Sequence, residues 1–199
     1  MVGNCAKNTL KFVIEHLEPE IGTWLNIEYM HASEIVSKNR LIFTNVKGEA
    51  DKNRLSSLGT VKEQSFAELY NPLEIVILDP KANSTLTPED LANKKAVVIG
   101  GILGDHPPRG RTKLLMTSRC SEAAARNIGK DQFAIDGTVY VAKLVSEGFR
   151  LEEIPVKKGL TIKLSGHHSI YLPYAYPLKD DKPLIHKALI EYLRAHPAN

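Results

Sequence analysis

The sequence predicts an α/β fold, a mostly parallel sheet covered by helices on both faces. Short continuous runs of Val, Ile and Leu are too apolar for strands with one wet face. Amphipathic helical patterns alternate with these runs. The runs also end in glycine, proline or charged residues, as strands of open α/β sheets do where ligand sites form. At 199 residues, the length suits a single domain over 1–199.

The elements follow in order. Leu10 to Leu17 reads as a first strand and Leu41 to Val46 as a second. Glu74 to Leu78 is a third, closed by Asp79-Pro80, and Ala96 to Gly101 a fourth. Between the first two, Trp24, Ile27, Glu28, His31 and Ile35 form a helical stripe. Thr87-Pro88-Glu89-Asp90 has the pattern of an N-cap followed by proline in the first turn. Asp136 to Glu147 places Thr138, Val141, Ala142 and Val145 at helical spacing, and Gly148 stops it. Leu160 to Leu164 and Ser169 to Leu172, within 157–177, are expected as strands at a sheet edge. Leu184 to Leu193 is the final helix, within 183–196, with Pro183 in its first turn and Asp180 and Asp181 just before it.

Composition narrows the class of protein. Charged residues make up 25% and hydrophobic residues 43%, ordinary values for a globular chain. No apolar run approaches the roughly 20 residues of a membrane span, and the start lacks a secretory pattern. Cys5 and Cys120 are far apart and in no metal-ligand spacing, so a cytoplasmic protein without a metal is expected. A net charge of +3 permits an anionic partner such as RNA without requiring one.

The chemistry concentrates in Ala96 to Thr112, where a buried run opens into Gly100-Gly101-Ile102-Leu103-Gly104 and then Asp105, His106, Pro107-Pro108, Arg109 and Arg111. Glycine allows close backbone approach to a ligand. The spacing is not the dinucleotide fingerprint, and no Gly-Lys-Ser or Gly-Lys-Thr makes it a P-loop. A second candidate is Asn127 to Thr138, a loop running into a helix start with free N–H groups; an ordinary start with Asp136 as N-cap reads equally well. Glu15, His16, Glu18 and Glu20, with Glu28 and His31 one turn apart, are more consistent with polar contacts than with a metal. His167-His168 is read as a loop or edge feature, and Cys120 as a buried thiol rather than a nucleophile.

These same residues carry a resemblance. Ile14-Glu15-His16-Leu17-Glu18-Pro19-Glu20 with Trp24, Glu28-Tyr29 and His31, Leu41 to Val46, Leu78-Asp79-Pro80, Gly100 to Thr112 and Gln132 to Val145 resemble the archaeal and eukaryotic SPOUT-class methyltransferases. The likeness runs in order over nearly the whole chain, and the Gly-Gly-Ile-Leu-Gly-Asp-x-Pro-Pro-Arg-x-Arg-Thr string is its most specific part. Periodicity alone reads as a doubly wound sheet. The resemblance instead implies a trefoil knot in the C-terminal half, in which the helix at Asp136–Glu147 threads under the loop after Gly100.

It also implies S-adenosylmethionine as methyl donor, bound by Leu78, Asp79, Pro80, Gly100, Gly101, Ile102, Leu103, Gly104, Ile128, Gly129, Gln132, Phe133, Ala134, Ile135, Asp136 and Thr138. Asp105 is then the candidate base or orienting carboxylate. Arg109 would hold an acidic group, and Glu15 and Glu18 would face the same cleft. The implied substrate is a ribosomal component, either RNA or an arginine of a small-subunit ribosomal protein. A non-catalytic binding module of the same fold is the alternative. Monomer and homodimer both remain open.

Overall fold

In the computed structural model, which describes residues 10–105, 107, 109–164 and 168–196, six parallel strands form the main sheet. They are β1 (Lys11–His16), β2 (Leu41–Thr44), β3 (Thr60–Val61), β4 (Ile75–Leu78), β5 (Ala96–Gly101) and β6 (Ala124–Arg126), in spatial order 3-2-1-5-4-6. β1 and β5 lie at the centre, with Glu15 opposite Gly100 and His16 opposite Gly101. Every pairing is parallel, so the strands all deliver their carboxyl ends to one edge. The four expected strands are present. β2 stops two residues early, at Thr44, where Asn45 turns to a positive φ of 59°.

Alternate side chains of the central strands feed two cores. Phe12, Ile14, Val97 and Ile99 point to one face, and Val13, Ala96, Val98, Ile75 and Ile77 to the other. Helices α1 (Thr23–Val36) and α6 (Ile135–Ser146) cover the first face, and α3 (Phe66–Leu69) and α5 (Arg111–Leu115) flank the second, alongside buried Cys120. Burial raises the pKa of the Cys120 thiol, which disfavours the thiolate. Short helices α2 (Glu49–Leu55) and α4 (Pro88–Leu91) complete the connections; α4 starts with the expected Thr87 cap, a reciprocal capping box with Asp90.

Helix α1 has two apolar faces where the periodicity shows one. Leu25, Tyr29, Ala32 and Val36 form the stripe that packs on the sheet. The stripe through Ile27, Glu28 and His31 turns instead toward α6 and a second sheet. Helix α6 ends as its glycine predicts. Gly148 takes φ 101°, its N–H reaches Val145 and that of Phe149 reaches Leu144, a Schellman closure.

The C-terminal region departs from the sequence expectation. β7 (Val156–Lys163) and β8 (Ser169–Lys179) form an antiparallel hairpin, and β9 (Lys182–Pro183) adds to β8. This is a separate three-stranded sheet, not the edge of the parallel one. Asp180 and Asp181, with φ of 51° and 58°, form the two-residue turn of a tight hairpin. Pro183 therefore belongs to a strand, and the last helix, α7 (Lys187–Ala195), begins four residues later under a His186 cap. No described helix is long and apolar enough to cross a membrane. Cys5, His106, Pro108 and His167 lie outside the described residues; His168 closes the β7–β8 connection by accepting the N–H of Leu164.

Candidate functional site

Three loops meet at the carboxyl edge of the sheet and enclose a cavity of about 180 Å³. The floor is Leu78, Asp79, Pro80 and Lys81 after β4, with Ile99 and Gly100 of β5. One wall is the loop after β5, with Ile102, Leu103, Asp105 and Arg109 to Thr112. The opposite wall is the loop after β6, from Ile128 through Phe133, closed by Ile135 and Thr138 of α6. Gly129, at φ 114°, keeps that wall free of a side chain in a conformation other residues avoid.

Tight contacts hold the two walls together. The Gln132 amide, oriented to satisfy both bonds, donates to Asp105 O at 2.9 Å and accepts from Asp105 N at 3.3 Å. The Tyr174 hydroxyl of β8 donates to Gly104 O at 2.9 Å. A Cβ on Gly104 would lie 2.5 Å from both Gln132 and Tyr174, so the glycine serves this contact. Ala175 N donates to Gln132 O at 2.8 Å, tying the second wall to the small sheet.

The rim is ionic. Arg111 donates from Nε to Asp105 Oδ2 at 2.9 Å, from Nη1 to Glu18 Oε1 at 3.0 Å, and from Nη2 to Leu103 O at 2.5 Å. Glu18 Oε1 also accepts Leu103 N at 2.9 Å. One guanidinium thus sits between two carboxylates beside the cavity. Three further cations at the walls, Lys81, Arg109 and Lys130, have no ion-pair partner among the described residues. Asp131 of the same wall pairs with Lys158 at 2.9 Å. Asp79 is buried, its oxygens accepting Lys81 N at 2.8 Å and the Thr117 hydroxyl at 2.7 Å.

Most of the sequence-predicted residues line this cavity: Leu78, Asp79, Pro80, Gly100, Ile102, Leu103, Asp105, Arg109, Ile128, Gly129, Gln132, Phe133, Ile135 and Thr138. The others point elsewhere. Gly101 packs under Tyr29 on the sheet, and Gly104 under Tyr174. Ala134 is the backbone cap of α6, in place of Asp136. Asp136 accepts from His31 at 2.6 Å and from Gly137 N at 2.8 Å. Glu28 accepts from Trp24 Nε1 at 2.6 Å and from Ile135 N at 3.0 Å. Burial, with the Asp136 charge close by, pushes Glu28 up to about 8.

Glu15 is the clearest displacement. It lies buried within β1, where the Thr44 and Ser65 hydroxyls and Phe66 N donate to it at 2.5, 2.6 and 3.0 Å. His16 beside it meets the Tyr29 hydroxyl at 3.1 Å, and burial lowers its pKa. Lys81, Ile99, Gly110, Arg111, Thr112, Lys130 and Asp131 line the cavity beyond the predicted set. Arg111 and Thr112 already stood in the diagnostic string; nothing in the sequence separated Arg111 from Arg109.

The profile of the family described as protein arginine N-methyltransferase SFM1-like matches residues 11–198. The chain belongs to this family. It is an S-adenosylmethionine-dependent methyltransferase. The protein arginine N-methyltransferase SFM1 of Saccharomyces cerevisiae is 29% identical over 93% of this chain and 94% of its own length. The crystal structure of the yeast arginine methyltransferase SFM1 complexed with SAM superposes with a TM-score of 0.86 at 26% identity, over 96% of this chain and 92% of that one. A dual specific Trm10 from Thermococcus kodakaraensis, 19% identical over 72% of this chain and 96% of its own, has a TM-score of 0.52 and shares the fold.

Proposed function

We propose that this SFM1-like chain transfers a methyl group from S-adenosylmethionine to the guanidinium of a protein arginine. The observation that carries the reading is the rim itself, where Asp105 of the cavity lining and Glu18 just outside that lining already hold the guanidinium of Arg111. Carboxylate pairs match the fork of a guanidinium.

The cavity residues fit the donor. Apolar Leu78, Ile99, Ile102, Leu103, Ile128 and Phe133 offer walls for an adenosyl group, and Lys81, Arg109 or Lys130, without an ion-pair partner among the described residues, can meet a carboxylate. The donor carries no phosphate, consistent with the lack of a P-loop string. When bound, it supplies an electrophilic methyl on a sulfonium. The protein's task is then to position the acceptor nitrogen in line with that methyl and to exclude water. As the N–C bond forms and the S–C bond breaks, the acceptor gives up one proton, which we assign to Asp105. Glu18 orients the guanidinium, Gln132 fixes the Asp105 backbone, and Tyr174 holds the Gly104 carbonyl before it.

We further propose the knotted form of the fold. It is supported by the contact of Gln132 with Gly104 and Asp105 just before the chain enters α6. The resemblance favours a small-subunit ribosomal protein in the cytoplasm as the acceptor. Incubating the enzyme with labelled S-adenosylmethionine and small ribosomal subunits from the source organism tests the reading. Label in protein, recovered as methylarginine after hydrolysis, is the expected result; label confined to RNA would refute it.

A further inference from the structure

We infer that Arg111 is a positioning residue that builds the acceptor site: it fixes one oxygen of Glu18 and one of Asp105 and leaves the other oxygen of each to receive the incoming guanidinium. The inference rests on the arginine-methylation reading and goes beyond it by giving a role to a residue outside the predicted site. The geometry supports it in three ways.

First, both carboxylates are held by the same planar group, Glu18 Oε1 at 3.0 Å from Nη1 and Asp105 Oδ2 at 2.9 Å from Nε. They are therefore locked within one guanidinium width of each other, although they come from segments 87 residues apart. Second, Glu18 Oε2 and Asp105 Oδ1 have no hydrogen-bond partner among the described residues. The buried carboxylates behave differently: Glu15, Glu28, Asp79 and Asp136 each have both oxygens engaged. Third, two adjacent carboxylates repel, and the Arg111 guanidinium between them holds the pair close, as a second guanidinium needs. Arg111 Nη2 also holds Leu103 O, so the same side chain sets the height of the rim over the cavity.

The test compares Arg111→Met and Arg111→Lys with the wild type, with small-subunit ribosomal proteins as acceptor and methylarginine as readout. Calorimetry gives the S-adenosylmethionine Kd of each. For Arg111→Met we expect kcat/KM for the acceptor to fall about 100-fold, with acceptor KM raised and donor Kd within about threefold. Arg111→Lys, which keeps the charge but loses the fork, should recover about a tenth of wild-type kcat/KM. If Arg111→Met fails to fold, Arg111→Lys decides, with a loss of about tenfold expected and confined to acceptor terms.

An unchanged kcat/KM in either variant overturns the inference. So does a loss matched by an equal loss of donor affinity, which would make Arg111 a cofactor-loop strut. The wild type separates the two levels. Wild-type label in methylarginine with unaffected variants defeats the role of Arg111 alone. Wild-type label only in RNA defeats the parent reading, and this inference with it.

Discussion

Glu15 and Glu18 stand three residues apart at the end of one strand and have opposite surroundings. Glu15 is 4% exposed, and two hydroxyls and a backbone N–H engage both its oxygens. Glu18 reaches the cavity rim, where one oxygen serves the fold and the other is unclaimed among the described residues. The same division separates the seam between α1 and α6, where His31 donates to Asp136 and Glu28 accepts from Trp24 and Ile135, from the rim at Asp105 and Arg111. A buried carboxylate must be fully hydrogen-bonded to be tolerated. Only one at an open edge can keep an acceptor free for a substrate. Residue type and spacing look the same in both cases; the number of engaged oxygens differs.

This contrast can be broken at several points, beginning with the largest effect. Asp105→Ala should lower methyl transfer about 100-fold or more while S-adenosylmethionine binding by calorimetry stays nearly intact. Wild-type turnover in that variant would show that the rim carboxylate is idle. Glu15→Gln leaves at least one buried donor facing an amide N–H₂, so we expect a loss of about 2–3 kcal/mol in urea unfolding. A Glu15→Gln protein as stable as the wild type would remove the structural half of the comparison.

The α1–α6 seam gives a smaller, pH-dependent signal. Burial and the Asp136 charge raise Glu28 from its ordinary 4.5 to about 8, so the folded protein holds this proton more tightly than the unfolded chain. Its stabilising share is complete below about pH 4.5 and is lost as pH rises through about 8. Unfolding free energy should therefore decline across that window more in the wild type than in Glu28→Gln, by up to about 1.4 kcal/mol per pH unit. Parallel declines in the two proteins would mean that Glu28 ionises normally.

Much of this was legible in the sequence, for identifiable reasons. Continuous Val and Ile runs marked strands buried on both faces, and Thr87 and Gly148 marked helix ends because capping is local. The cavity could be placed because parallel strands deliver their loops to one edge. One hidden feature is local: Asp180-Asp181 looked like a helix approach and is a hairpin turn, because aspartate suits both settings. The others depend on distant partners. Helix α1 carries a second apolar face that only the small sheet and α6 reveal. Gly101 and Gly104 looked like ligand glycines, whereas Tyr29 and Tyr174, far along the chain, are what require them. The separation of Glu15 from Glu18 was illegible for the same reason: Thr44, Ser65 and Phe66 claim the first, and nothing near it in sequence says so.

The most direct test of that separation is acceptor kcat/KM for Glu18→Gln beside Glu15→Gln, normalised to folded enzyme, with small-subunit ribosomal proteins as acceptor. We predict a loss of about 10- to 50-fold for Glu18→Gln, carried by acceptor KM, and wild-type kcat/KM for folded Glu15→Gln. Equal losses in the two variants, or a larger loss for Glu15→Gln, would contradict the division between a rim that handles substrate and a buried carboxylate that holds the fold.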